Sequence, residues 1–286
     1  MTIDLHIHSS ASDGGFTPIE VVEYAGKIGL HLISITDHDT VEGLSQADEK
    51  AHELKIDFIT GIEFTTYAEG REKHILGYFI DYKSESFLKD IKEVQNNIET
   101  RVAKMIYNLN NLGFDITLEE VKEVSSGNHC GRPHIAKVML NKGYVETFHE
   151  VFDKYIGLNG EAFVDTDMLS PQRAYEIIKS AGGISSLAHP GAQGISEMIT
   201  DEDIYLQKEM GLDAVEVFHS RHDDYFINYY LKTARKLGMH ITGGSDCHGP
   251  IYSKILMDNN VCPDWVGEKL INFMKNKDRE EIYEKQ

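Results

Sequence analysis

Short runs of β-branched and apolar residues alternate along this 286-residue chain with stretches that carry helix signals. The first run is Ile3–His8. Thr17 and Glu20 then form a predicted capping box, and Pro18 suits the first position of the helix that follows. Gly29 is placed to end that helix, and the next predicted strand begins shortly afterwards. This alternation is typical of βα units around a largely parallel sheet or barrel, so we expect an α/β fold.

The same pattern continues to the C-terminal part of the chain, with one interruption. The further predicted strands are residues 32–36, 58–65, 74–80, 184–188, 214–218 and 240–242. Between residues 84 and 160 helical periodicity dominates, with helices expected at 87–112 and 135–140. We therefore expect a barrel domain made of residues 1–83 and 161–286, and an inserted helical domain of residues 84–160.

The charge balance restricts the classes of partner. Lys and Arg total 28 against 47 Asp and Glu, a formal net charge of −19, which repels extended polyanions such as long duplex nucleic acid. The sequence contains no apolar run of about 18 residues, the length that a membrane-spanning helix needs. The N-terminus also lacks the basic and apolar regions of a secretory signal, so we expect a cytoplasmic protein without a membrane partner.

His6 and His8 are the first residues that suggest chemistry. They stand two apart on a predicted strand, so both imidazoles point to the same face and can reach one ion. An H-x-H pair alone is explained equally well by structural histidines.

Residues of the same chemical class recur near the ends of later predicted strands and in the first loop. They are Asp13, His38, Glu63, His74, His189, Asp246 and His248. In a βα barrel these positions converge on one mouth. Carboxylates gathered there would repel one another unless cations were bound, and nine donors exceed the four ligands of a single zinc ion. We therefore expect two or three divalent ions that share a bridging carboxylate.

The ordered motifs of this sequence resemble those of the PHP family, named for its polymerase and histidinol phosphatase members. The matching segments are Asp4–Ser9 with Ser12–Gly14, Ile35–Thr40, Gly61–Glu63, Leu187–Pro190 and Gly244–Gly249. The resemblance implies a distorted (β/α)7 barrel that carries a helical insertion domain. It also implies hydrolysis of phosphoesters with two or three Zn, Mn or Fe ions.

The resemblance further implies roles for individual residues. By motif, His6, His8, Glu63 and Asp246 hold one ion, Glu63, His74 and His189 a second, and Asp13, His38 and His248 a third. Glu63 is then the bridging ligand. The expected nucleophile is a metal-bridging hydroxide held through Glu63 and Asp246, which attacks phosphorus in line.

Within the family, the helical segment and Gly131–Ala136 resemble the stand-alone branch of 3′,5′-nucleoside bisphosphate phosphatases and 5′-3′ exoribonucleases. The candidate substrate-binding residues are Arg132, His134, His219, Arg221 and His222. Arg132 can grip a phosphate with two parallel hydrogen bonds, although a surface salt bridge would explain it as well. For His219 and His222, ligand contact and plain surface exposure both remain open.

These inferences predict a phosphoesterase that acts on a phosphate monoester of a small nucleotide, such as a 3′,5′-nucleoside bisphosphate. Exoribonuclease action on short RNA ends and histidinol-phosphate-type phosphatase activity are the alternatives. A non-catalytic metal-binding domain and an amidohydrolase are rivals from other classes. The complete set of candidate ligands argues against the first, and an assay of phosphate release against amide hydrolysis separates the second.

Overall fold

The computed structural model describes residues 2–125, 130–250, 257 and 262–284, with side chains described as far as residue 276. Its centre is a 7-stranded sheet in which the strands are neighbours in chain order. The strands are β1 (Thr2–Ile7), β2 (Leu30–Ile35), β3 (Asp57–Ala68), β4 (Arg71–Tyr78), β5 (Ile184–Leu187), β6 (Ala214–His219) and β7 (His240–Gly244). All seven predicted strands are therefore confirmed, with ends shifted by a few residues.

The sheet curls into a nearly closed barrel, because β7 returns to β1. The amide of His8 donates to the carbonyl of Cys247 over 3.0 Å, and the amide of Asp246 donates to the carbonyl of His6 over 2.9 Å. A parallel bridge between Ile7 and Cys247 lies at the same place. The expected distorted seven-stranded barrel is confirmed.

The direction of β4 departs from the expected, largely parallel arrangement. This strand is antiparallel to both β3 and β5. The cause is the two-residue connection Glu69–Gly70, where both residues have positive φ, 55° and 72°, as in the tight turns that join hairpin strands. β3 and β4 therefore form a long two-stranded ribbon.

Helices cover the barrel and form the helical segment. They are α1 (Pro18–Ile28), α2 (Leu44–Leu54), α3 (Glu85–Asn111), α4 (Leu118–Val124), α5 (Arg132–Asn141), α6 (Phe148–Val151), α7 (Pro171–Ser180), α8 (Asp201–Glu209), α9 (Asp224–Leu237) and α10 (Asp264–Glu284). A single π-helical turn, Phe152–Ile156, continues α6. The predicted capping box of α1 is present, and Gly29 closes the helix in the left-handed conformation.

Two hydrophobic clusters show how the helical segment relates to the barrel. The N-terminal half of α3, through Phe87, Ile91 and Val94, packs into the main barrel cluster. Its C-terminal half, from Val102, belongs to a separate cluster that continues to Ala162. Because one helix belongs to both clusters, the helical segment is anchored to the barrel by direct packing. The domain limits 84 and 160 stay a prediction.

Within the described residues, no helix is both long enough and apolar enough to cross a membrane.

Candidate metal centre

The barrel strands deliver the nine predicted ligands to one mouth. His6 lies in β1 and His8 follows it, while Asp13 and His38 lie in the loops after β1 and β2. His189 follows β5, and Asp246 and His248 follow β7. The remaining two differ from the expectation that the ligands lie near strand ends. Glu63 and His74 lie inside β3 and β4, because the ribbon that these strands form extends beyond the mouth.

Glu63 is the centre of the cluster. Its Oε2 lies 3.2 Å from Nε2 of His6, 3.1 Å from Nε2 of His8 and 3.3 Å from Nδ1 of His38. Its Oε1 lies 3.1 Å from both Nδ1 of His74 and Nε2 of His189. The two oxygens of one fully buried carboxylate therefore face two separate groups of histidines.

Two further carboxylates complete the cluster. Oδ1 of Asp246 lies 3.2 Å from Nε2 of His8 and 3.5 Å from Nδ1 of His248. Oδ1 of Asp13 lies 3.4 Å from Nε2 of His248. These contacts join all nine predicted ligands into one continuous set of nitrogen and oxygen donors.

The protonation of the cluster follows from its charges. Although burial favours the neutral form, Asp246 and Glu63 raise the pKa of His8 to about 10, and Glu63 and Glu72 raise that of His74 to about 10. Burial dominates at His38 and lowers its pKa to about 3. The protonated histidines in turn hold the pKa of Glu63 well below its usual value, against the effect of burial. The carboxylates thus favour protonated histidines at His8 and His74, and cation binding competes with those protons.

The donor set fits divalent cations. Groups of three or four of these side chains have ligand atoms within 4.8 Å of one another, including His8, Asp13, His38 and His248, and His6, His8, Glu63 and Asp246. Among the described residues, buried Nδ1 of His8 and of His38 make no hydrogen bond. Imidazole and carboxylate donors suit Zn, Mn and Fe, and an orphaned buried ring nitrogen gains a partner when an ion binds.

The backbone at two of these positions adopts an uncommon conformation. His189 and Asp246 have φ of 30° and 56°, in the left-handed region that non-glycine residues seldom occupy. Both follow the end of a strand. The positive φ turns their side chains back towards the mouth, so local strain is retained where the ligands converge.

Glu216 is a residue that sequence reasoning missed. It lies in β6, is fully buried, and its Oε1 is 3.0 Å from Nδ1 of His6. Its Oε2 accepts the backbone amide of His189 over 2.7 Å. It therefore orients His6 so that Nε2 faces the cluster, and it holds the chain at His189 as well. A carboxylate in a strand of otherwise apolar residues was the signal that could have revealed it.

We predict that Glu216→Gln weakens metal binding by roughly 10- to 100-fold, because the amide holds the His6 ring less firmly and makes it less basic. Titration of the metal-free protein with Mn²⁺ or Zn²⁺, followed by calorimetry, measures the change. Glu209→Gln, at the exposed end of α8, removes the same charge away from the mouth and is the control. Equal affinities of Glu216→Gln and wild type would reduce Glu216 to a packing role.

Arg132 lies against the cluster through Glu72. Its Nη2 donates to both oxygens of Glu72, over 2.6 and 2.5 Å, and its guanidinium lies 5.7 Å from the ring centre of Phe152. Oε1 of Glu72 also lies 3.0 Å from Nε2 of His74. A chain of contacts therefore links Glu63 through His74 and Glu72 to the helical segment. From the sequence, a surface salt bridge was the alternative explanation for Arg132. A salt bridge is present, but it joins Arg132 to Glu72 at the mouth of the barrel.

The other candidate substrate contacts have different surroundings. His134 is buried, with Nδ1 accepting the amide of Gly131 and Nε2 3.1 Å from the carbonyl of Ser12. Buried His222 accepts the amide of Gly191 at Nε2 and lies 2.9 Å from the carbonyl of Val217 through Nδ1. Both imidazoles are thus engaged by backbone groups and hold neighbouring loops in place, and a role in substrate binding stays a prediction.

His219 and Arg221 are the remaining two candidate substrate-binding residues. His219 is fully buried, and its Nε2 lies 3.6 Å from Oδ2 of Asp246, so surface exposure is excluded for this residue and for His222. With His6 and Glu216 it forms a further possible metal-binding group. Arg221 is exposed, and its backbone amide donates to Nδ1 of His219.

A cavity of about 240 Å³ connects the cluster with the helical segment. Its barrel side includes Asp13, His38 and His74. The opposite side is formed by helical residues, among them Ile98, Arg101, Met105, Arg132, Phe148 and Phe152. A cavity with metal-binding donors on one wall and aromatic and cationic groups on the other suits an organic phosphate.

A barrel whose mouth is lined by histidines and carboxylates is the arrangement of a metal-dependent hydrolase. The PHP domain model matches residues 4–206, so the chain belongs to the PHP-domain family. Metal-dependent phosphoester hydrolysis is the activity of this class, and the resemblance seen in the motifs is confirmed.

The relatives agree with this assignment. The chain is 30% identical over 267 residues to a 5′-3′ exoribonuclease of Haemophilus influenzae, covering 92% of this chain and 97% of that protein. It is 28% identical to a 3′,5′-nucleoside bisphosphate phosphatase of Chromobacterium violaceum, covering 87% of each. Among solved structures, a protein of Bifidobacterium adolescentis assigned as a metal-dependent phosphoesterase superposes with a TM-score of 0.84 at 28% identity, covering 94% of this chain and 95% of that one.

Proposed function

We propose that this protein hydrolyses a phosphate monoester of a small nucleotide, such as a 3′,5′-nucleoside bisphosphate, with two or three bound Zn, Mn or Fe ions. The observation that carries the proposal is the cavity between the cluster and the helical segment. An organic group bound there would contact Phe148 and Phe152 while its phosphate lies towards His38 and His74, which line the opposite wall. A related bisphosphate phosphatase of similar length supports the same substrate class.

The assignment of residues to the ions follows the family motifs. One set is His6, His8, Glu63 and Asp246, a second is Glu63, His74 and His189, and a third is Asp13, His38 and His248. The division of the Glu63 oxygens between two histidine groups supports a bridging role. When bound, such ions make water acidic enough to supply hydroxide near neutral pH and neutralise the phosphate oxygens.

The residues of the chain itself contribute positioning. Arg132 is the first residue of α5, directly after the Gly131 cap, and it lies on the cavity wall. Glu72 holds its guanidinium in a fixed orientation. Both bonds to Glu72 come from Nη2, so the other N–H groups of the guanidinium can donate charge-assisted hydrogen bonds to a substrate phosphate. The apolar side chains of Ile98 and Met105 exclude water from the same space, which strengthens that contact.

Exoribonuclease action on short RNA ends is the second candidate. A further opening of about 600 Å³ reaches His74 and His189 from the other side of Glu72, and Arg71 and Lys73 also line it. An opening of this size leaves room for a longer phosphate chain, and Glu72 and Glu197 line it beside the two basic residues. The relative from Haemophilus influenzae carries that activity in its name.

We expect a 3′,5′-bisphosphonucleoside to be turned over with a higher kcat/KM than a 5′-phosphorylated RNA tens of residues long. A chain of net charge −19 has few cations with which to follow a phosphate backbone. Phosphate and nucleotide release are measured for both substrates at several salt concentrations. The small substrate should show a shallow salt dependence, since few counterions are released.

Faster and strongly salt-sensitive turnover of the long RNA would replace the small-substrate proposal with the exoribonuclease. Turnover of histidinol phosphate above both nucleotides would favour that alternative. Release of amine from amide substrates without release of phosphate would favour an amidohydrolase. A metal-loaded protein inactive on all of them would favour a binding domain.

A further inference from the structure

Arg101 is a buried cation of α3 that has no carboxylate partner among the described residues. Only 6% of its surface is exposed. Its Nε and Nη2 both donate to the carbonyl of Val164, over 3.3 and 3.2 Å. In the part of the chain that the structure describes, no carboxylate lies within ion-pair distance of its guanidinium. A buried charge that is bonded only to a neutral carbonyl is costly unless an opposite charge joins it.

Arg101 lines the same cavity as the metal-facing His38 and His74. It shares this cavity with Arg132. Burial and the nearby Arg132 guanidinium lower the pKa of Arg101, while the carboxylates of Glu72, Asp39 and Asp165 act in the opposite direction without pairing with it. Arg132 has Glu72 as its partner, whereas no carboxylate of the described residues lies at ion-pair distance from the Arg101 guanidinium. Asp13 and Asp39 also line the cavity, so Arg101 is a guanidinium without a direct ion pair on the wall of a cavity of mixed charge.

We infer that Arg101 binds a second phosphate of the substrate, the one that is not hydrolysed. The inference rests on the proposed function, because it places the scissile phosphate at the metal cluster. The nucleoside then lies along the apolar wall of Ile98 and Met105, and its other phosphate reaches Arg101. A guanidinium already held by Val164 is pre-organised to donate to phosphate oxygens.

The surroundings of Arg101 favour a terminal phosphate over one inside a chain. A second cavity of about 280 Å³ adjoins the first, and the two share Thr65, Ile98 and Arg101 in their linings. Three carboxylates line this second cavity, namely Asp90, Glu93 and Asp167. The cations in its lining are Arg101 and Arg173, and Arg173 is paired with Asp90. Further phosphates would meet net negative charge there, so the bound molecule ends at the second phosphate.

The test compares Arg101→Met with Lys104→Met, which removes the same charge from the same helix. Lys104 is exposed, pairs with Asp167 and lines neither cavity. Substrates are adenosine 3′,5′-bisphosphate, adenosine 3′- and 5′-monophosphates, and a 5′-phosphorylated dinucleotide. We expect Arg101→Met to lower kcat/KM for the bisphosphate by roughly 10- to 100-fold, mainly through KM, as for a lost hydrogen-bonded charge. Both monophosphates and every substrate of Lys104→Met should stay within about twofold of wild type.

Equal losses on bisphosphate and monophosphates, or no loss at all, would overturn the inference. A loss confined to the dinucleotide would overturn the terminal-phosphate placement. Protection of the protein in EDTA against thermal unfolding by adenosine 3′,5′-bisphosphate provides a readout without turnover, and Arg101→Met should abolish it while Lys104→Met retains it. If wild type shows this protection but no turnover, the proposed function fails and the subsite stands. If Arg101→Met does not fold, Arg101→Lys, which keeps the charge, should retain part of the protection, and complete loss in that folded variant contradicts the inference.

Discussion

Glu63→Gln should lower kcat/KM for phosphoester hydrolysis by more than about 10³-fold and leave less metal per chain than wild type retains. Five histidine nitrogens lie within 3.3 Å of the two carboxylate oxygens. Glutamine keeps the shape but replaces one oxygen with an NH₂ group that cannot coordinate a cation. Whichever way the amide is turned, that group faces two or three imidazoles, so at least one ion loses a ligand.

Metal analysis of protein purified without chelator tests this directly, together with a substrate assay and circular dichroism to verify folding. Glu69→Gln, at the exposed turn of the same ribbon, removes the same charge and should leave both metal content and kcat unchanged. Wild-type protein that reproducibly holds one equivalent of metal or less would contradict the multinuclear site. Full metal retention by Glu63→Gln would contradict the bridging role.

Gly244→Ala should destabilise the metal-free protein by about 3 kcal/mol and also impair metal binding. A Cβ at Gly244 would lie 2.4 Å from both the Cβ and the backbone nitrogen of His6. Because backbone atoms cannot rotate away, β7 has to move from β1 at the place where the barrel closes. His6 lies on β1, so the same movement displaces a metal-facing imidazole.

Thermal unfolding of metal-free Gly244→Ala, compared with Gly29→Ala, isolates the close approach. Gly29 has φ of 82° and no atom within 4 Å of an added Cβ, so its alanine variant bears only the cost of the left-handed conformation, about 1 kcal/mol. Metal titration should then show weakened binding for Gly244→Ala alone. Equal shifts in Tm for the two variants would mean that the strands accommodate the methyl group.

Local sequence patterns were sufficient to predict most of the fold. The capping box of α1, the glycine that ends it and the β-branched runs were sufficient to predict the strands, since each depends on neighbouring residues. The direction of β4 was missed although its cause is local. The Glu69–Gly70 pair between two strand-like runs is a hairpin signal, and it was not weighed against the βα alternation.

The site was predictable where residue type alone limits the chemistry. Histidines and carboxylates near strand ends converge in any βα barrel, so their meeting followed from the topology. The partners of Arg132 and His222 could not be predicted, since Glu72 lies 60 residues from Arg132 in the chain and the bonds of His222 are to backbone atoms. The buried contact of Glu216 could have been predicted, because a charged residue inside an apolar strand requires a partner.

The division of labour between the two parts of the chain has an evolutionary consequence. All nine predicted metal ligands come from barrel strands or their loops, whereas the aromatic and cationic side of the cavity comes from α3, α5, α6 and the π-helical turn. Substitutions in those helices can therefore alter which phosphoester the protein accepts while the predicted metal ligands stay unchanged. A protein that evolves in this way need not pass through inactive forms that lack metal. Duplicated copies of such a gene can diverge in substrate while their hydrolytic chemistry is inherited intact, and exchange of the helical segment between relatives is a direct route to new specificities.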